Sequence, residues 1–392
     1  MTGGTAYFGV SRPSIFPGRR VFRLAVFFLA FSGVSLFGES ISPFVMPSAR
    51  FSGLGGNHVA LADDFYALFT NPAAFVEVED EFSVSELTLS SYGPVFEILD
   101  LMINSSDSLE DLDLSGIIGE KGFAAGFDMG GPVALGWVGR GLGLGLFSRL
   151  KADAVVSGVN FRPNVSGEIL LLGGYSFRVL NKNDHILDAG FLGKGFFRGG
   201  MDMDAPIVEV ETLFDDPLSN KFKAVLGLGF DVGVKYTFAE KLSAALVCFD
   251  AYSPALISSY SSFKAFQDKE VPQNTYGTVN PRLDLGFTYR IRSEFLERYI
   301  SNFSILADYR NFLDLFSLIP RNPILNIGLG VELVVLNALS LRAGIADALP
   351  AVGFGLDLSF MKLDCSIYGK ELGLDPGVQS VYAVDMGLLF RY

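Results

Sequence analysis

Residues 221–238 alternate without interruption. Phe222, Ala224, Leu226, Leu228, Phe230, Val232, Val234, Tyr236 and Phe238 hold the even positions, against Lys221, Lys223, Val225, Gly227, Gly229, Asp231, Gly233, Lys235 and Thr237 on the odd side. Side chains alternate faces along a strand, so this segment predicts a strand with one bulky apolar face and one small or charged face. The same period recurs in 282–292, 324–335 and 351–360; in 324–335, Leu325 through Val335 oppose Asn326, Gly328, Gly330 and Glu332. Continued along the chain, the pattern predicts about fourteen strands: 81–91, 122–138 (broken near Gly130–Gly131), 141–151, 165–179, 185–198, 221–238, 241–254, 282–292, 301–311, 324–335, 339–347, 351–360, 363–369 and 381–392.

The connections between these segments alternate too. After even-numbered strands they are short: Gly139–Arg140, "NKND", Ala239–Glu240, "LNA" and Met361–Lys362. After odd-numbered strands they are long: 92–121, 152–164, 199–220, 255–281, 312–323 and 370–380. Segment 293–300 is longer and 348–350 shorter than this parity asks. Short turns at one end and long loops at the other are the asymmetry of outer-membrane barrels.

Composition decides between a soluble β-sandwich and a barrel in lipid. The chain has 392 residues, 49% of them hydrophobic, with 44 Gly and 37 Phe. Beyond residue 38 no apolar run reaches the roughly 18–20 residues of a spanning helix; "LNIGLGVELVVLNALSL" (325–341) carries Glu332, Asn326 and Asn337. Hydrophobicity without helices leaves a closed barrel, because backbone groups in hydrocarbon must all be paired internally. The expected fold is an all-β transmembrane antiparallel barrel, oily outside and polar within, spanning 81–392. Its last strand, "VYAVDMGLLFRY", places Tyr382, Val384, Met386, Leu388, Phe390 and Tyr392 on one face. This ending resembles the signal read by barrel-assembly machinery, an expected partner together with outer-membrane lipids.

Arg19, Arg20 and Arg23 precede "LAVFFLAFSGVSLFG" (24–38), so 1–38 reads as an export signal. Its removal takes the formal charge from −13 to −17, a poor balance for binding nucleic acid. The expected location is the outer membrane of a diderm bacterium, with both termini periplasmic. Cys248 and Cys365 lie in strand-like segments and define no disulfide framework or metal cage. The histidines, His58 and His185, have no serine nucleophile beside them, and the glycines follow strand periodicity rather than a phosphate loop. Neither an enzyme nor a cofactor is expected.

Residues 39–80 do not alternate. Gly53, Gly55 and Gly56 permit a sharp turn, and Asn71–Pro72 predicts a capped short helix. An apolar stretch of this size ahead of a barrel predicts a plug in the lumen. With "ALADD" and "NPAAF", it resembles the N-terminal hatch of FadL-type outer-membrane long-chain fatty-acid transporters. This chain has Ala74 where many members have Gly, and a large acidic first outer loop, in which 97–114 has helix-compatible spacing. The resemblance implies uptake of long-chain fatty acids or other hydrophobic small molecules, hatch movement, and exit through the wall near the third strand. It also implies that Asn71, Pro72 and Ala73 act as hatch elements.

By parity, Lys194, Phe196, Arg198, Arg290, Arg310 and Arg342 face the lumen as ligand candidates. The cations have acids such as Asp188, Asp284, Asp308 and Glu332 as alternative partners. In "GLGLGLFSRLKAD" (141–153) the outward register Leu142, Leu144, Leu146 slips near Phe147–Ser148, which predicts a bulge, either a lateral gate or a feature shaping the barrel. An adhesin or a secretion-associated scaffold without transport is the other functional reading.

Overall fold

The computed structural model describes residues 38–94, 123–157, 160–206, 216–291 and 300–391. The expected export signal, apart from Gly38, and the acidic 97–114 loop lie outside these residues. Fourteen antiparallel strands form a closed barrel. They are β1 (Glu81–Tyr92), β2 (Phe123–Gly139), β3 (Leu142–Ser157), β4 (Asn160–Lys182), β5 (His185–Asp202), β6 (Phe222–Phe238) and β7 (Leu242–Tyr252). The ring continues through β8 (Arg282–Arg290), β9 (Ile300–Tyr309), β10 (Ile327–Val335), β11 (Leu339–Ala346), β12 (Leu349–Asp357), β13 (Met361–Glu371) and β14 (Ser380–Arg391). It closes where β14 pairs with β1, Met386 against Leu89 and Phe390 against Ser85. Among the described residues no helix is long and apolar enough to cross a membrane; the strands cross it.

Alternation explains the wall. In β6, Leu226, Leu228 and Phe230 are exposed outward while Asp231, Gly233 and Lys235 are buried inward. Phe82, Trp137, Tyr175, Phe177, Phe238 and Tyr289 ring the short-turn end. Phe127, Phe230, Tyr252, Tyr309 and Tyr382 form a second ring above them. Eight residues separate Phe230 from Phe238, and Tyr382 from Phe390. At ~3.3 Å per residue and a tilt of ~40° that is roughly 20 Å of height, close to the apolar band of a membrane barrel. Asn183–Asp184, Ala239–Glu240 and Leu336–Asn337 all have positive φ at both positions, the backbone of tight two-residue hairpins.

Several boundaries differ from the sequence expectation. β3 and β4 run on to Ser157 and from Asn160, so the long connection expected at 152–164 is mostly wall. The 255–281 connection is also largely strand: Pro254–Tyr260 extends β7 and pairs with β6, and Gln273–Val279 pairs with it in turn. Pro254, Asn280 and Pro281 interrupt the alternation there, which hides these extensions in sequence. Phe222, expected outward, is buried under Phe263 and Phe266 of the helix Phe263–Gln267, with ring centroids 5.1 and 4.8 Å away. Leu325, also expected outward, is fully buried, because Pro323–Asn326 forms a 3-10 turn and β10 starts only at Ile327.

The wall has a high and a low side. β4 has 23 residues and β5 18, whereas β10, β11 and β12 have 9, 8 and 9. The low side is capped by the two-residue hairpin Asp347–Ala348.

Candidate functional site

The N-terminal segment fills the interior. At the long-connection end, Glu39–Ile41 pairs in parallel with Gly277–Val279. At the other end, Phe65 donates its N–H to Glu81 at the start of β1. The chain therefore descends through the lumen before the wall begins. Asn71 caps the 3-10 helix Pro72–Val76 as expected, accepting the Ala73 N–H at 2.9 Å and donating to the Val59 carbonyl at 2.9 Å.

Inward glycines make room for it. Gly190 and Gly233 lie opposite each other on β5 and β6. A Cβ on Gly233 would meet Asn71 Oδ1 at 2.2 Å, and one on Gly190 the Pro72 carbonyl oxygen at 2.3 Å. Gly330 and Gly344, paired across β10 and β11, admit the Leu54 carbonyl in the same way.

Charge fixes the segment as well. Arg50 donates to Glu332 through Nε (3.0 Å) and Nη2 (2.7 Å), and pairs with Asp63 (2.9 Å) and Asp64 (2.6 Å). Burial opposes these charges. The carboxylates outweigh it and raise the Arg50 pKa well above its ordinary value; Arg50 and Lys362 likewise hold Asp64 below the usual carboxylate range. His58 is fully buried, its ring bonded to Asp308 and to the Leu54 carbonyl. Glu77 accepts from Lys235 at 2.6 Å.

Above the segment, toward the long connections, lies a cavity of about 800 Å³. Phe44, Phe51, Phe69, Leu170, Val225 and Ile257 supply apolar lining, and Arg149, Lys194, Arg198, Arg282, Arg310 and Lys370 supply cations. Most of these cations are neutralised on site. Lys194 lies 2.8 Å from Asp231 and 2.7 Å from Asp250. Arg149 forks onto Asp128. Arg198 pairs with Glu168 and donates to the Ser42 carbonyl, and Arg310 lies 3.0 Å from Asp347. Lys370 differs: its ammonium sits 5.1 Å from the Tyr92 ring centroid, and among the described residues it makes no ion pair.

Of the residues expected from sequence, the structure brings Lys194, Arg198 and Arg310 to the cavity. Phe196 is buried with its ring packed over Gly227 instead of lining it. Arg290 points at Asp63, 3.6 Å away, at the short-turn end. Of the expected acid partners, only Glu332 pairs as proposed, with Arg342 at 2.8 Å. Asp188 goes to Arg178, Asp284 to Arg282 and Asp308 to His58. Cys248 and Cys365 are free thiols.

The register slip at Phe147–Ser148 does not exist. Even positions of β3 stay outward on both sides of it, Phe147 is fully buried inward, and the β3–β4 pairing is continuous. The irregularity is on the neighbouring strand: β2 carries Gly131, Pro132 and Val133 opposite Ser148 alone. Gly131 has φ +92°, and the Ser148 hydroxyl accepts the Val133 N–H at 3.1 Å. The β1–β2 ladder is interrupted at the same level, between Ser83/Gly136 and Thr88/Gly130. Phe147 looked like a slip because a bulky inward side chain breaks the small-residue pattern; Gly145 accommodates its ring, which packs on Phe65 and Phe69.

Sequence reasoning missed Arg50 and Lys370. A single arginine in an apolar stretch, with Asp63–Asp64 a dozen residues on, was a visible signal for the first. Nothing in the local pattern marked the second.

No protein-family model and no curated protein matches this chain. Among solved structures it is similar to the Ralstonia pickettii toluene transporter TbuX, at 12% identity and TM-score 0.45, covering 91% of this chain and 99% of that one. A Pseudomonas aeruginosa FadL homologue gives 12% identity and TM-score 0.44, over 90% and 98%. The translocator domain of the autotransporter NalP from Neisseria meningitidis gives 7% and 0.33, over 80% and 89%. The fold of this chain rests on its own strand pairing, which makes it a closed fourteen-stranded antiparallel transmembrane barrel.

Proposed function

We propose that this barrel takes up hydrophobic small molecules across the outer membrane of a diderm bacterium, with long-chain fatty acids as the ligand class. Residues 1–38 are its export signal and 39–80 its hatch; the wall begins, at Glu81, and ends at the periplasmic mouth, whereas Glu39 lies at the opposite, long-connection mouth, contrary to the expectation of a periplasmic amino terminus. The observation that carries the ligand class is Lys370: among the described residues its ammonium makes no ion pair, on a mixed polar and apolar cavity wall where Arg149, Lys194, Arg198, Arg282 and Arg310 each have an acid partner. A fatty carboxylate suits it, with the acyl chain along Phe44, Phe51 and Phe69. Lys194, Arg198 and Arg310 then shape the cavity through their own acid pairs. Passage requires the segment around Asn71–Pro72–Ala73 to shift. The exit we assign is the interrupted β1–β2 ladder, beside Phe147 and Ser148, where fewer wall hydrogen bonds must break.

The test is binding and uptake of labelled oleate and, in parallel, toluene. Lys370→Gln should weaken oleate binding tenfold or more, the ~1.5–3 kcal/mol of a hydrogen bond to a charged group, and leave toluene unchanged. Equal binding of oleate by both proteins defeats the fatty-acid assignment. Replacing Asn71–Pro72–Ala73 should lower uptake while the barrel still assembles. A protein that binds neither ligand but holds a stable protein partner is a scaffold or adhesin instead.

A further inference from the structure

The connection between β9 and β10 is the most apolar exposed loop among the described residues. Phe316 is 78% exposed, Ile319 73%, and Leu318 fully so. A patch of this kind on a surface calls for a partner. The loop is ordered by its own polar groups. Asp314 accepts from the Arg321 N–H at 2.9 Å and from the Ser317 hydroxyl at 3.2 Å. Arg321 turns away to donate to the Glu371 carbonyl at 2.6 Å and to Asp347 at 3.0 Å. Asn322 donates its N–H to the Leu374 carbonyl. The loop thus bridges from β9 across the Asp347–Ala348 hairpin to the base of the β13–β14 connection, over the low rim, and presents "LFSLIP" uncharged.

Its level is set by the strands beneath it. β9, β10, β11 and β12 have 10, 9, 8 and 9 residues, against the roughly 9–11 a tilted strand needs to cross hydrocarbon. The rim on this side therefore ends where the apolar core ends. The outward face of β9 continues into the loop as edge-to-face rings: Tyr309 to Phe312 at 5.9 Å, and Phe312 to Phe316 at 6.0 Å. Tyr309 belongs to the upper aromatic ring, the level at which such residues meet lipid headgroups. Below and beside the loop, Ile327, Leu329, Ile345 and Val352 are all exposed outward.

We infer that residues 312–319 lie embedded in the facing leaflet of the bilayer, an apolar sill along the low side of the mouth. Apolar surface continuous with the lipid-facing belt and free of net charge on its tip is stabilised by acyl chains and headgroup-level contacts. The high side makes the contrast. Val271 is 96% exposed, but it precedes the strand Gln273–Val279, which stands above β8.

The chain has one tryptophan, so Trp137→Phe gives a silent background for Leu318→Trp and, separately, Val271→Trp. Each full-length protein is refolded into phosphatidylcholine nanodiscs, plain or brominated, and its fluorescence is titrated with iodide. At position 318 we expect blue-shifted emission, quenched by brominated lipid and protected from iodide. At position 271 we expect the reverse. Iodide quenching at both positions overturns the inference, as does equal quenching by brominated lipid at both. Protection of position 318 from both quenchers also overturns it, because the loop is then covered by protein, such as a second copy of this chain.

Discussion

Arg50 keeps its charge in the interior because three carboxylates surround it, and those carboxylates are the groups that acid removes. Asp64 and Glu77 are both held below their ordinary values; burial would raise them, and Arg50 and Lys235 overcome that. A carboxyl with a lowered folded pKa adds stability that is present above its unfolded value and lost as pH falls through the folded value. Docking of the N-terminal segment should thus hold at neutral pH and weaken below about 4, with protease cleavage within 39–80 as the measurement. Arg50→Ala leaves Glu332 with Arg342 but reduces Asp63 to the longer contact with Arg290 at 3.6 Å and Asp64 to Lys362 at 3.4 Å. A loss of about 3 kcal/mol in segment docking is expected, the lower end for breaking a buried pair, and denaturant titration of segment release reads it. At this scale sequence was informative about faces and poor about partners. Parity put Lys194, Arg198 and Arg342 inward. Which acid each one meets depends on height in the wall, and local patterning does not encode that.

Strands were the most legible elements, because the bilayer demands an apolar residue at every outward position, which is every second residue of the strand. β6 and β14 follow that rule almost end to end. Where a prolyl break or a covering helix intervenes, as at Pro254, Asn280–Pro281 and Phe263–Gln267, the signal fades and the wall extensions were read as loop. The inward glycines carried a second message that alternation alone does not explain. Gly190 and Gly233 form a notch in adjoining strands, and the capped turn at Asn71–Pro72 sits in it. Gly233→Val should push that turn out of place at a cost of about 1–3 kcal/mol, seen as new cleavage near residue 71. Gly193→Val makes the comparison, since an added Cβ there meets only the Gly173 carbonyl oxygen, at 3.6 Å; it should change little. Equal effects from both substitutions would mean that the notch does not seat the turn.

The described residues from Gly38 onward form a ring and a filling. Every wall strand finds its partners in other wall strands, so the ring has its own hydrogen bonding without the segment. Deleting residues 42–78 should therefore leave a barrel that assembles and conducts ions in planar bilayers, whereas the full chain conducts little. A deletion protein as tight as the parent would show that the outer connections, and not the segment, close the passage. The filled lumen was foreseeable from an apolar stretch with nowhere else to go. The slant of the wall was not, because it depends on how far each strand continues past the membrane.

The path of the segment has a consequence for how the molecule is made. The first described residues lie at one mouth, the wall starts at the other, and the β1–β14 seam is what completes the enclosure. A finished ring could acquire its contents only by threading about forty residues, with Arg50 and His58 among them, through an opening lined by charge. Biogenesis is simpler if the amino-terminal stretch is already seated on the half-built sheet when the last strand meets the first, so that sealing the seam is the final act and traps what it surrounds.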